Sequence, residues 1–160
     1  MRLLQAIHKG NIELPLVVVG RKTAYAAEVH RFLEKHPSLQ VLFFDTIANT
    51  DLPGFYQLAD VFVYPSLYEG FGLPVLEALA SRIPVVTSRG GCFEEAGGPS
   101  TMYVDPADAA EMAGAILQVI RDRGLREKMI ETGFQYASGF RPDEVARQVM
   151  NVYIKLMQHD

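Results

Sequence analysis

Five short runs of apolar residues, rich in β-branched and aromatic side chains, recur along the chain, and each closes on a residue that breaks or turns the backbone. They are Leu16–Val19 before Gly20, Val41–Phe44 before Asp45, Val61–Tyr64 before Pro65, Pro84–Thr87 before Ser88 and Thr101–Val104 before Asp105. Between and after them, apolar positions fall at helical spacing over roughly 23–35, 52–59, 73–81, 107–123, 125–137 and 142–158. Strand runs that alternate with helical stretches predict βαβ units and a parallel sheet, an α/β fold. The runs are continuous rather than alternating, so the strands are expected to be covered by helices on both faces. Open sheets of this kind bind ligands outside the carboxyl ends of their strands, which directs attention to the loops after Gly20, Phe44, Tyr64 and Thr87.

The N-terminus adds one further pattern. Leu3, Leu4 and Ile7 form a helical stripe that closes at Lys9-Gly10, where Gly can cap the helix, yet nothing ahead of Met1 supplies an N-cap or a preceding strand. The chain is therefore expected to be a piece of something larger.

Composition narrows the chemistry. The 160 residues are one domain's worth of chain, and 15 Lys+Arg against 19 Asp+Glu give a net charge of −4. With 49% hydrophobic and 21% charged residues, disorder, collagen-like repeats and coiled coil are excluded. No long Lys/Arg run is present, which argues against binding along nucleic acid but leaves room for one small phosphorylated ligand. Cys92 is the only cysteine, so neither an intramolecular disulfide nor a multi-cysteine zinc site can form, and it reads as a small half-buried thiol. His8, His30, His36 and His159 show no metal-binding helical spacing; they read as surface residues, and no metal is expected. Leu14–Val19, interrupted by Pro15, falls far short of the roughly 18 apolar residues of a membrane span, and no signal-peptide core is present. A cytoplasmic protein is expected.

The densest chemistry lies in Pro65-Ser66-Leu67-Tyr68-Glu69-Gly70-Phe71-Gly72-Leu73-Pro74-Val75-Leu76-Glu77, which joins a strand to a helix. Pro74 suits a first helical turn, and Gly70 and Gly72 allow close backbone approach or positive φ in the loop before it. The N–H groups of Leu73, Val75 and Leu76 would form an anion site at the helix start, fitted to a diphosphate. Glu69 and Glu77, eight residues apart, can address one ligand from two sides. Carboxylates aimed at a phosphate would repel it, so acceptance of hydrogen bonds from sugar hydroxyls is the better role. Together these features point to a nucleotide sugar.

This segment resembles the E-x7-E signature of the group 1 (family 4) retaining glycosyltransferases of the GT-B fold. The likeness extends over nearly the whole chain: Leu52, Tyr56, Ala59, Asp60, Val61 and Pro65-Ser66 are similar to the family's L-x3-Y-x2-A-D-V-x3-P-S run. Gly90-Gly91, Glu94, Ala96 and Gly97 are similar to its G-G-x-x-E-x-A-G loop, and Val104-Asp105-Pro106 with Asp108 to its V-D-P-x-D. The resemblance implies a Rossmann-like, doubly wound donor-binding domain, the C-terminal half of such an enzyme, truncated at its N-terminus and lacking the acceptor domain. It implies that Glu77 bonds the ribose hydroxyls, that Glu69 is the catalytic residue addressing the donor sugar, and that Gly70, Phe71, Gly72 and Leu73 hold the sugar and diphosphate through their backbone. Gly20, Arg21, Thr46 and Ile47 would line the nucleobase, with Ile47 on its face, and Glu94 would lie near the sugar. Transfer with retention, no metal and no cofactor are further implications, with a glycan, lipid or small-molecule acceptor read by the missing domain and the full-length enzyme able to sit at the inner face of a membrane.

Departures from the pattern limit what carries over. The family's basic clamp, an Arg and a Lys in a G-R-x4-K-G run, belongs to a strand upstream of Met1; Arg21 and Lys22 occupy a different loop and read equally as a solvated helix start. Asp45 stands where Gly is common, and Phe93 where Pro often precedes the Glu, which leaves Glu94 and Glu95 open to a plainer role at the dipole of a short helix. Asp60 reads as shaping the turn into its strand. Val145, Val149, Val152 and Leu156 make a stripe on the last helix whose default is core packing, while in GT-B enzymes this helix crosses to the other domain, which would leave part of the stripe exposed here. A free-standing, non-catalytic nucleotide or nucleotide-sugar binding module is the alternative function. A dinucleotide dehydrogenase is excluded because Gly20-Arg21-Lys22 provides no G-x-G-x-x-G.

Overall fold

The computed structural model describes residues 1–21 and 25–158. The expected helix start at Thr23, the loop residue Lys22 and His159 lie outside the described residues. In chain order the elements are α1 (Arg2–Lys9), β1 (Leu16–Val19), α2 (Ala26–Lys35), β2 (Val41–Phe44), α3 (Leu52–Gln57), β3 (Phe62–Tyr64) and α4 (Leu73–Ala80). They continue with β4 (Val85–Ser88), α5 (Phe93–Gly97), a 3-10 turn at Gly98–Ser100, β5 (Met102–Val104), α6 (Ala109–Arg121), α7 (Arg123–Ser138) and α8 (Pro142–Met157). The α/β class holds and all five apolar runs form strands, with β3 and β5 starting one residue later than the runs and β4 shifted by one so that it takes in Ser88. The five residues of α5 are too few to show a helical period.

Side-chain caps set the helix boundaries that periodicity alone misplaces. Asp108 accepts hydrogen bonds from the N–H groups of Ala110 (2.8 Å) and Glu111 (3.0 Å), so α6 starts at Ala109 rather than at 107. Those two N–H groups hold the Asp108 carboxyl below its ordinary value. Asp122 leaves helical geometry at ψ 95°, ending α6, and its side chain accepts the N–H of Leu125 at 2.9 Å, starting α7. One acid thus divides two helices across what reads as a nearly continuous stretch.

The strands form two parallel sets. In one, β1 pairs with β2 in the register Leu16↔Val41 to Val19↔Phe44; in the other, β4 lies between β3 and β5. All of β4 is buried. Successive strand residues face opposite sides, so Val85 packs with Val75, Leu79 and Ile83 on the α4 side, while Val86 packs with Met112, Ile116 and Val119 on the α6 side. Ala6 of α1 joins the α6 side.

Two-sided cover does not extend to β1 and β2. Val17, Val19, Leu42, Phe43 and Phe44 are all exposed, because α2 buries none of its residues and α1 packs against α6. The final helix differs from its default in the same way: α8 has no buried residue, and its stripe of Val145, Val149, Val152 and Leu156 faces outward. Of the histidines, His8 and His30 are exposed, whereas His36 is half-buried with its ring centroid 4.0 Å from that of His8 and 4.3 Å from that of Phe32.

Candidate functional site

The loop from Pro65 to Gly72 hangs between β3 and α4, and β4 fixes its root. Thr87 Oγ1 donates to the carbonyl of Tyr64 at 2.8 Å, and Ser88 Oγ donates to the carbonyl of Ser66 at 2.5 Å, both from fully buried positions. Further out, the Cys92 thiol, half-buried as expected, donates to the carbonyl of Glu69 at 3.4 Å. The sequence hints at the first two: hydroxyl residues that end a buried strand need partners, and a neighbouring loop's carbonyls supply them.

Gly72 closes the loop at φ +99°, ψ 41°, a left-handed geometry that glycine adopts without Cβ strain, and a Cβ there would lie 3.3 Å from that of Ala96. Pro74 follows in the first turn of α4 as expected. The N–H of Leu73 has no partner among the described residues and opens at the positive end of the helix. Val75 departs from expectation, since its N–H is taken by the Gly72 carbonyl at 2.9 Å and is not free for an anion. Gly70 has open space where a Cβ would project, while Phe71 is half-buried against Phe140 at a centroid distance of 5.8 Å.

Glu69 and Glu77 are both exposed, and each accepts a hydrogen bond from a tyrosine. Tyr64 Oη donates to Glu69 Oε1 at 2.5 Å, and Tyr56 Oη donates to Glu77 Oε2 at 3.1 Å. Burial, reinforced by the bond to Glu69, pushes the Tyr64 phenol up to about 12; burial and Glu77 push Tyr56 up further. Both hydroxyls therefore stay protonated donors at neutral pH. Neither tyrosine stands out in the sequence as a partner of the carboxylates: Tyr56 is 21 residues from Glu77 and enters the sequence reading only as part of the L-x3-Y-x2-A-D-V run.

The other expected site residues divide into two groups. Gly20, Arg21, Thr46 and Ile47 lie together at the carboxyl ends of β1 and β2, where the N–H of Gly20 meets the carbonyl of Phe44 at 2.9 Å; Ile47 is half-buried and the other three exposed. No hydrogen bond or ion pair among the described residues links this group to Glu69 or Glu77. Glu94 turns back onto its own loop, its Oε1 accepting the N–H of Gly90 at 3.2 Å, and with Glu95 it occupies the first turn of α5, which fits the plainer reading at that helix. Arg89 beside the glycine loop is consumed by Glu111 at 2.6 Å. Asp60 pairs with Arg126 of α7 at 3.6 Å, a long-range contact rather than one within its own turn.

One cleft of about 480 Å³ is lined by Met1, Arg2, Leu3 and Gln5 at the start of the chain together with Tyr25, Pro65, Leu67 and Pro106 from segments that follow β1, β3 and β5, and neither Glu69 nor Glu77 lines it. The two strand sets thus open their carboxyl ends onto a shared space.

A parallel α/β domain with its polar loops gathered at the strands' carboxyl ends, two carboxylates beside an open helix start among them, defines a ligand-binding α/β class. Comparison with known proteins gives the family. The sequence model described as "Glycosyl transferases group 1" matches residues 1–136, and the chain belongs to that family. It is 38% identical to the O-antigen chain mannosyltransferase B of Escherichia coli over 67% of this chain and 28% of that protein. It is 32% identical to the D-inositol 3-phosphate glycosyltransferase of Corynebacterium diphtheriae over 88% of this chain and 34% of that protein. The chain spans about a third of the length of these relatives. Among solved structures, the C-terminal domain of the group 1 protein LpcC from Francisella tularensis superposes with TM-score 0.75 at 26% identity, covering 86% of this chain and 76% of that one. Anabaena HepE in complex with UDP and glucose superposes at TM-score 0.83 over 96% of this chain and 44% of that one, and at 21% identity the likeness is one of fold.

Proposed function

We propose that the chain is the donor-binding domain of a glycosyltransferase that moves a sugar from a nucleotide-diphosphate sugar to an acceptor with retention and without a metal. The observation that carries this reading is the pair Glu69 and Glu77, exposed on either side of the open start of α4. Glu77 bonds the ribose hydroxyls, Glu69 addresses the donor sugar, and the backbone from Gly70 to Leu73 receives the diphosphate. Gly20, Arg21, Thr46 and Ile47 take the base. The HepE structures bound to UDP and to UDP-glucose support the ligand class by analogy of fold. As the glycosidic bond breaks, charge develops on the departing β-phosphate, and fixed N–H donors at a helix start stabilise it without reorganisation. The acceptor, a glycan, lipid or small molecule, is read by a part of the enzyme outside these residues, and the chain alone binds donor weakly and transfers no sugar. No helix among the described residues is long and apolar enough to cross a membrane, and attachment to a membrane face is part of the proposal only for a full-length enzyme.

Calorimetric titration of Glu77→Ala against its parent with UDP, GDP and ADP tests the ribose role. Loss of charge-assisted hydrogen bonds is expected to weaken binding by about 1–3 kcal/mol. Unchanged affinity would count against it.

A further inference from the structure

Each carboxylate of the site is gripped at one oxygen by a phenol whose half-buried ring packs against the core. Tyr56 rises from α3 and Tyr64 from the end of β3, yet their rings form one continuous aromatic row. Tyr56 meets Phe62 edge-on at 5.2 Å, Phe62 lies parallel to Tyr64 at 5.8 Å, and Tyr64 meets Phe93 edge-on at 6.5 Å. Tyr56, Phe62 and Tyr64 pack against the buried cluster of Val75, Leu76, Ala78 and Leu79 on α4, the helix that bears Glu77. Rings held by a close-packed core have little freedom, so their hydroxyls are fixed points. Glu69 and Glu77 are exposed and would otherwise sample several rotamers, an entropy that a ligand would have to remove on binding. Glu77 Oε1 and Glu69 Oε2 have no partner among the described residues.

We propose that Tyr56 and Tyr64 are positioning residues, each hydroxyl holding one oxygen of Glu77 or Glu69 so that the other oxygen is already aimed at the hydroxyls of the bound donor. The inference rests on the donor-site reading above. A phenol has a single proton. For Tyr56 the carboxylate at 3.1 Å outcompetes the carbonyl of Pro74 at 3.5 Å for it, because a charged acceptor makes the stronger bond. The same contacts explain why both tyrosines lie on the core side of the loop: a donor reaching from solvent would occupy the face the ligand needs.

The test removes the hydroxyls and keeps the rings. Tyr56→Phe and Tyr64→Phe are titrated with UDP-glucose and GDP-mannose, alone and combined with Glu77→Ala or Glu69→Ala respectively. Each single Phe variant is expected to weaken binding by about 3–10-fold. Tyr56→Phe should cost nothing further in the Glu77→Ala background, nor Tyr64→Phe in that of Glu69→Ala, since a residue that acts through a carboxylate has no effect once the carboxylate is gone. Additive losses would overturn the inference, as would single variants that bind like the parent while Glu77→Ala is impaired; both outcomes leave the donor site itself standing. If the parent binds neither sugar nucleotide, the donor-site reading fails and the inference with it. A second measurement needs no ligand: the side-chain carboxyl carbon resonances of Glu69 and Glu77 should move in the matching Phe variant and stay in the other, and unmoved resonances would overturn the proposal.

Discussion

β4 and β1 are four-residue strands of similar character, Val-Val-Thr-Ser and Leu-Val-Val-Val, yet every residue of β4 is buried whereas Val17 and Val19 of β1 are 45% and 47% exposed. The difference lies in their neighbours. β4 has a strand on each side, α4 over one face and α6 over the other, while among the described residues β1 pairs only with β2 and is followed by α2, none of whose residues is buried. An apolar run therefore records what a strand can bury, and the elements around it decide what it does bury. The loop carrying Glu69 and the helix carrying Glu77 are rooted in the buried half through Thr87, Ser88 and the aromatic row, and the loops expected to meet the base are rooted in the exposed half. The proposed site would thus pair a buried, rigid side with a more exposed one.

The rigid half offers the sharpest way to break this contrast. Gly98 has φ +61° and ψ −164°, backbone that only glycine adopts readily, and an added Cβ would lie 2.6 Å from the ring of Tyr136. Strain and overpacking together predict that Gly98→Ala costs about 3–5 kcal/mol in urea unfolding. Next, Val86→Ala in β4 should cost about 2–3 kcal/mol, whereas Val17→Ala in β1 should cost less than about 1 kcal/mol. Equal losses at the two valines would erase the distinction. Amide exchange sharpens it without substitution, with the N–H groups of the β3–β4–β5 set expected to exchange more slowly than those of β1 and β2.

A smaller effect isolates the site's own tyrosine. The folded chain keeps Tyr64 protonated up to about 12, above the ordinary value of about 10. Its neutral form therefore contributes stability that is complete below pH about 10 and lost as pH rises toward 12. Tyr103, whose Oη donates to the carbonyl of Gly98 at 2.7 Å, is also pushed up to about 12. Tyr64→Phe should accordingly remove part, not all, of the alkaline loss of stability and of the late phase of tyrosinate absorbance. An unchanged alkaline limb would show that Tyr64 is not held as described.

Most of the fold was legible because it rests on local signals. The five apolar runs end in turn residues, and Pro74 and Gly72 mark the start of α4 on their own. What escaped depended on contacts distant in sequence. Nothing near Val17 announces that its outer face lacks cover, while the outward stripe of α8 was expected from the family resemblance and from nothing in the residues around Val149. The break between α6 and α7 was legible near residue 124, but its place at Asp122 was not, because that one residue bounds both helices. At the site, spacing and residue type singled out Glu69, Glu77 and the glycines, while the closure of the Val75 N–H onto Gly72, the turning of Glu94 onto Gly90 and the grip of the two tyrosines required three-dimensional placement.

The central claim is that the start of α4 and its two carboxylates form a nucleotide-sugar site. Its most direct test is to titrate the chain with UDP, GDP, ADP, UDP-glucose and GDP-mannose while recording backbone amide chemical shifts. At least one of these ligands is expected to shift the resonances from Gly70 to Glu77, with accompanying changes at Gly20 and Ile47. A folded chain in which none of them moves the Gly70–Glu77 resonances would contradict it.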